Sequence, residues 1–222
     1  MINILCYGDS NTWGNIAGSR NAELLLAKRF DRNIRWTGVL QKLLGEKYHI
    51  IEAGLNGRNT AFDETRFVRP SRNGLATLPL ILEMHYPLDL VIIMLGTNDA
   101  IMDFNATPEQ TTIAIQKMIR FIKTSHLGKA FSAPKVLLIS PAPIIQNNSE
   151  GFKVFFNQES ITKTQQLAYY YKKLAHQESC LFIDAAKIAT VSDDDGVHIE
   201  AESHRKLAEV IATAVQKDLN RT

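Results

Sequence analysis

Five short runs of nearly unbroken apolar, β-favouring residues, at 2–7, 48–52, 88–95, 135–140 and 180–184, constrain this chain more than any other feature. A strand with one face in water alternates apolar and polar side chains. A run such as Val91-Ile92-Ile93-Met94 does not alternate, and strands of that kind are covered on both faces, as in a parallel sheet. Between the runs lie stretches with helical spacing. Trp36, Val39, Leu40, Leu43 and Leu44 share a face over 36–44. The stretch 75–84 is apolar but contains Pro79, which predicts a kinked or restarted helix. Thr107 is placed to cap a helix over 107–124, with Pro108 in its first turn and Ile113, Ile115, Met118, Ile119 and Ile122 largely along one side. Further helical patterns cover 158–176 and 200–219. Strand and helix alternating through the whole chain predict a three-layer α/β/α sandwich in one domain over 1–222, with a flavodoxin-like five-stranded parallel sheet. Ligands of such sheets bind outside the carboxyl ends of the strands. The connections 15–33 and 142–157, and the polar stretch 58–73, leave from that edge and are expected to wall a site.

The chain has 222 residues, enough for one full hydrophobic core. Its net charge of +2 is small and its basic residues are scattered, which argues against a nucleic-acid or membrane partner. Cys6 and Cys180 each lie in a predicted strand and read as buried, reduced thiols rather than a disulfide or metal pair. No basic segment followed by an apolar one opens the chain, and no apolar run reaches the roughly 18 residues of a membrane span. A cytoplasmic location is the expectation.

Ser10 stands just past the first predicted strand, in Gly8-Asp9-Ser10-Asn11-Thr12-Trp13-Gly14. Alone it reads as a turn or cap residue, and with threonine at position 12 it is not a Gly-x-Ser-x-Gly elbow. A serine needs a base to act as a nucleophile. Of six histidines, His198 is distinctive because Asp195 lies three residues before it. In a turn, that spacing lets the carboxylate hold one ring nitrogen and leave the other as a base. Capping of the last helix by the run of aspartates at 193–195 is the plainer alternative, and metal binding by them would need further ligands. Asn98, after the strongly apolar third strand, can aim an amide at the same edge, or simply form a turn with Asp99. A glycine after the second strand, in Glu52-Ala53-Gly54-Leu55-Asn56-Gly57, can offer an unobstructed N–H. Such groups, with the Ser10 N–H, make an oxyanion hole.

Gly-Asp-Ser after strand one, Gly after strand two, Gly96-Thr97-Asn98-Asp99 after strand three and Asp195-x-x-His198 before the last helix resemble the four blocks of the GDSL, or SGNH, hydrolases. The fuller strings 8–14, 35–40 and 87–99 are most similar to the arylesterase and acyltransferase branch. The resemblance implies Ser10 as nucleophile, His198 as base and then acid, and Asp195 as its orienter. It implies Ser10 N–H, Gly57 N–H and the Asn98 amide as oxyanion donors, and a structural role for Asp9. Glu52 departs from the asparagine common in the family. The implied activity is hydrolysis of short carboxylic esters, acetyl or aryl, without cofactor or metal. Transfer to an alcohol or peroxide is the alternative. The branch also implies a homo-oligomer. Aromatic-rich loops (Trp13, Phe62, Phe67, Phe152, Phe155, Phe156) are suited to narrowing a pocket, and Asn11, Trp13, Phe152, Phe155 and Val197 are the candidates for its wall. Two rival readings are a flavodoxin-like phosphate-binding module, which lacks the Gly-x-x-x-x-Gly-Lys-Ser/Thr loop, and a chelator-sensitive metal phosphatase.

Overall fold

The computed structural model describes residues 1–21, 26–65, 67 and 69–219. Residues 22–25 of the first long connection, and 66 and 68 of the polar stretch, lie outside the described residues. Strands β1 (Ile2–Gly8), β2 (Tyr48–Gly54), β3 (Leu90–Met94), β4 (Lys135–Ser140) and β5 (Leu181–Asp184) form one sheet in the order β2-β1-β3-β4-β5. Every pairing is parallel. This is the expected flavodoxin-like order, and the helices are α1 (Ser10–Trp13), α2 (Trp36–Leu44), α3 (Gly74–His85), α4 (Pro108–Thr124), α5 (Glu150–Phe155), α6 (Gln158–Gln177) and α7 (Ala201–Leu219).

The sheet has a core on each face because strand side chains alternate in direction. Ile4, Cys6, Leu90, Ile92, Met94, Leu137 and Ile139 pack with Trp36 and Leu40 of α2 and Leu207 and Ile211 of α7. Leu5, Tyr7, Val91, Ile93, Val136 and Leu138 pack with Leu78 and Leu82 of α3, Ile115 and Ile119 of α4, and Leu167 and Tyr171 of α6. Burial on both sides explains why the strand runs do not alternate. A smaller cluster of Ile144, Phe152, Phe156, Ile161 and Val197 sits apart from both, with Ile101 and Phe155 against it.

Thr107 caps α4 in a reciprocal capping box with Gln110, with Pro108 in the first turn. Helix α3 runs through Pro79 as one element and does not restart there. The N–H that proline lacks would have bonded the Leu75 carbonyl, so the helix forfeits a single ladder bond near its start. Helix α5 interrupts what the sequence presents as the loop 142–157. Among the described residues, no helix is long and apolar enough to cross a membrane.

Candidate active site

Parallel order places the carboxyl ends of β1, β2 and β3 side by side, with β1 between the other two. The sheet changes direction of winding between β1 and β3, and a crevice opens at such a point. Asp9 caps α1 by accepting the Asn11 N–H at 2.9 Å, so Ser10 becomes the first helical residue at the end of β1. The approach is close. A side chain on Gly54 at the end of β2 would meet the Trp13 nitrogen at 2.2 Å, so only glycine lets α1 sit against that strand.

Ser10 and His198 are 188 residues apart in sequence, yet Ser10 Oγ lies 3.0 Å from His198 Nε2. On the other side of the ring, His198 Nδ1 is 2.7 Å from Asp195 Oδ2. Asp195 also accepts the N–H groups of Val197 and His198 at 3.0 Å each, both on Oδ1, and of Gly18 at 2.9 Å on Oδ2. Burial alone would raise its pKa, but the hydrogen bonds and charge of His198, with the His198 and Gly18 N–H groups, outweigh that and hold the carboxyl well below the usual range. An ionised carboxylate only accepts, so Nδ1 carries a proton towards Asp195 and Nε2 faces the serine. Asp195 thus serves the histidine rather than the last helix, which begins at Ala201.

Asn98 follows β3 in a short 3-10 turn, and its Nδ2 donates to the Arg58 carbonyl at 3.0 Å. That bond fixes the amide orientation and leaves the second N–H for the cleft that Asn98 lines. Gly57 lies on the same cleft with φ +76°, in the left-handed region that favours glycine. The structure therefore brings Ser10, Gly57, Asn98, Asp195 and His198 to one cleft of about 290 Å³. Phe152, Phe155, Phe156, Ile101 and Val197 supply an apolar wall, and Asn15, Arg20, Asn56 and Arg69 a polar one.

Three pocket expectations are corrected. Asn11 is buried beneath the cleft, where its Oδ1 accepts the Ile199 N–H at 3.0 Å and its Nδ2 donates to the Val197 carbonyl at 3.4 Å. It braces the segment carrying His198 rather than lining the opening. Trp13 turns to the Arg29 guanidinium, whose carbon is 5.1 Å from the ring, and is not among the described residues of the cleft wall. Phe62 likewise stacks on Phe104 at 5.3 Å.

Glu52 accepts from Arg35 Nε and Nη2 at 2.7 Å each and from Thr37, and pairs with Arg29 at 3.4 Å. Burial opposes ionisation there, but the Arg35 and Thr37 hydrogen bonds and the two guanidinium charges lower its pKa. Arg29 in turn donates to the Trp13 carbonyl at 2.6 Å. The departure at Glu52 thus fastens the end of α1 to β2. Asp9 and Asp99 are both fully enclosed, and burial pushes their pKa values up to about 6 and about 7. Thr60 donates to Asp99 through its N–H at 3.0 Å and through its hydroxyl. Among the described residues, no three His, Cys, Asp or Glu side chains converge on a metal-sized site.

Sequence reasoning missed Arg20, Asn56, Ile101 and Arg69 at the cleft. They sit in irregular connections or a short turn, where no period marks a side chain as facing a site.

The model of the GDSL-like lipase/acylhydrolase family matches residues 6–206. An arylesterase of Vibrio mimicus is 26% identical over 188 residues, covering 83% of this chain and 80% of that protein. An acetylxylan esterase of Xylanibacter ruminicola is 26% identical over 190 residues, 80% of this chain, but the match spans only 38% of that longer protein. The M. smegmatis aryl esterase structure superposes with a TM-score of 0.89 at 36% identity, over 98% of this chain and 99% of that one. Est24, a carbohydrate acetylesterase from Sinorhizobium meliloti, gives the same TM-score of 0.89 and the same 36% identity, over 98% and 99% of the two chains. The chain belongs to the GDSL-like lipase/acylhydrolase family.

Proposed function

We propose that this protein is a serine esterase that hydrolyses short carboxylic esters, acetyl or aryl, through an acyl-serine. The ester-hydrolase class rests on family membership and on neighbours titled aryl esterase and carbohydrate acetylesterase. The observation that carries the mechanism is the continuous relay from Ser10 Oγ through His198 to Asp195, at 3.0 and 2.7 Å. Ser10 attacks the ester carbonyl as His198 Nε2 takes its proton. Asp195 stabilises the imidazolium that forms and fixes the ring. The carbonyl oxygen becomes an oxyanion and is met by the Ser10 N–H, the Gly57 N–H and the free N–H of Asn98. The tetrahedral adduct collapses, the C–O bond to the leaving alcohol breaks, and His198 returns the proton to that alcohol. Water then attacks the acyl-serine with His198 again as base, releasing the acid and Ser10.

The enclosed aromatic wall of Phe152, Phe155 and Phe156 favours small acyl groups. A series of aryl esters of rising acyl length tests the substrate class. Acetyl and propionyl esters are expected to give the highest kcat/KM, with all turnover lost in Ser10→Ala. Faster turnover of long-chain esters would contradict the short-acyl assignment.

A further inference from the structure

Arg20 and Arg69 both line the cleft that holds Ser10, and no step of acyl transfer uses either. Arg69 is held in place. Its Nε donates to Glu64 Oε2 at 3.0 Å, its Nη2 bonds the same oxygen, and its side chain is 16% exposed. Its guanidinium lies directly against Gly57, where an added methyl group would stand 2.9 Å from Nη2 and 3.3 Å from Nη1. A fixed positive charge therefore adjoins one of the proposed oxyanion donors.

Arg20 is held differently. Its guanidinium carbon is 4.9 Å from the centre of the Phe155 ring. Among the described residues, no carboxylate lies within ion-pair distance of it. Burial, and after it the charge of Arg69, lowers its pKa, with Glu64 offsetting part of the effect. A guanidinium nevertheless stays cationic at neutral pH. Arg72 lies in the same field, its pKa lowered by burial and then by Arg69. Among the described residues, Glu64 is the carboxylate whose charge bears on Arg20, Arg69 and Arg72 together. Among the described residues, the carboxylates that line the cleft are Asp194 and Asp195. Asp195 is committed to His198 and to backbone N–H groups, and neither aspartate pairs with Arg20 or Arg69.

Among the described residues, the guanidinium groups of Arg20, Arg69 and Arg72 outnumber the carboxylate of Glu64. Arg20 is exposed, so solvent reaches its guanidinium. A guanidinium that rests against an aromatic ring keeps its edge donors free, in the planar fork that fits a carboxylate. A wholly neutral ester would leave that fork empty. We propose that Arg20 and Arg69 form an anion subsite, and that the favoured substrates are short esters bearing a carboxylate on either the acyl or the alcohol part. The proposal rests on the serine-esterase reading and narrows its substrate class.

The test uses two matched pairs, each corrected for spontaneous hydrolysis. On the acyl side, para-nitrophenyl hemisuccinate is compared with its methyl ester. On the alcohol side, para-acetoxybenzoate is compared with its methyl ester. In one pair the carboxylate is expected to raise kcat/KM by about tenfold over the neutral member, the scale of one charge-assisted contact. That ratio should fall towards one in Arg20→Gln and shrink as sodium chloride is raised, while the neutral ester's rate stays independent of salt. The pair that shows the preference identifies the side of the ester that the arginines read. Absence of a preference in both pairs would overturn the subsite, as would a preference that neither Arg20→Gln nor salt reduces. Should Arg20→Gln fail to fold, the salt dependence of the wild-type ratio decides. The methyl esters separate the two levels of the argument. Wild-type protein that hydrolyses them without favouring the anions loses only the subsite, whereas protein that hydrolyses no member of either pair contradicts the esterase reading itself.

Discussion

At the scale of single residues, the site depends on groups whose free valences point the same way. Asn98 spends one amide hydrogen on the Arg58 carbonyl at 3.0 Å, and this fixes where the other points. Replacing Asn98 with alanine removes that donor from the oxyanion while leaving Ser10, His198 and Asp195 in contact. The expected cost is about 3 kcal/mol of transition-state stabilisation, or roughly a hundredfold in kcat with KM little changed. Steady-state kinetics on an acetyl ester checks this, and an unchanged kcat would remove Asn98 from the proposed set. Ser10, Gly57, Asn98, Asp195 and His198 could all be picked out in the sequence because each sits in a short block at the end of a predicted strand or before the last helix. Arg20 and Arg69 could not. Their meeting across the cleft depends on how two irregular connections fold over the sheet edge, and no local spacing encodes that. Asn11 was legible as near the site but not in its role, because its partners Val197 and Ile199 lie 186 and 188 residues away.

At the scale of elements, apolar pattern located all five strands, with boundaries differing by at most two residues at each end. Helices α2, α4, α6 and α7 were equally plain, since each is long enough for a helical stripe to repeat, but Leu43 and Ile113, expected on the stripes of α2 and α4, are exposed at the stripe edges. Helix α5 was not, because six residues span fewer than two turns and look like a polar loop with two phenylalanines. Yet α5 matters most for the shape of the cleft. Ser149 caps it by accepting the Phe152 N–H at 3.3 Å, and the short helix then presents Phe152 and Phe155 to the opening. The same aromatic residues join Ile144, Ile161 and Val197 in the small cluster behind the cleft. Val197 adjoins His198, so the packing of α5 and the placing of the base are parts of one unit.

At the scale of the whole molecule, buried carboxylates at the catalytic edge set how stability responds to pH. Asp99 and Asp9 are raised from 3.8 to about 7 and about 6, by burial first, and the charge of Asp9 raises Asp99 further. Both folded values lie above the unfolded ones, so the folded state holds more protons across the interval. Their contribution to stability is complete below about pH 4 and is lost as pH rises through 6 to 7. Asp195 acts oppositely. Its depressed pKa contributes stability above the ordinary carboxylate range, and this is lost as the pH falls. Urea unfolding midpoints between about pH 4 and 7 should therefore fall less steeply in Asp99→Asn than in the wild type. An identical pH slope in the two proteins would show that Asp99 is ionised normally in the fold.

The central claim is that Ser10, among all the hydroxyls of the chain, is the activated nucleophile. Incubating the folded protein with a fluorophosphonate and locating the adduct by mass spectrometry tests this most directly. The account predicts one stoichiometric adduct on the peptide containing Ser10, formed in parallel with loss of esterase activity and abolished in His198→Ala. An adduct elsewhere, or none on Ser10 in folded protein, would contradict it.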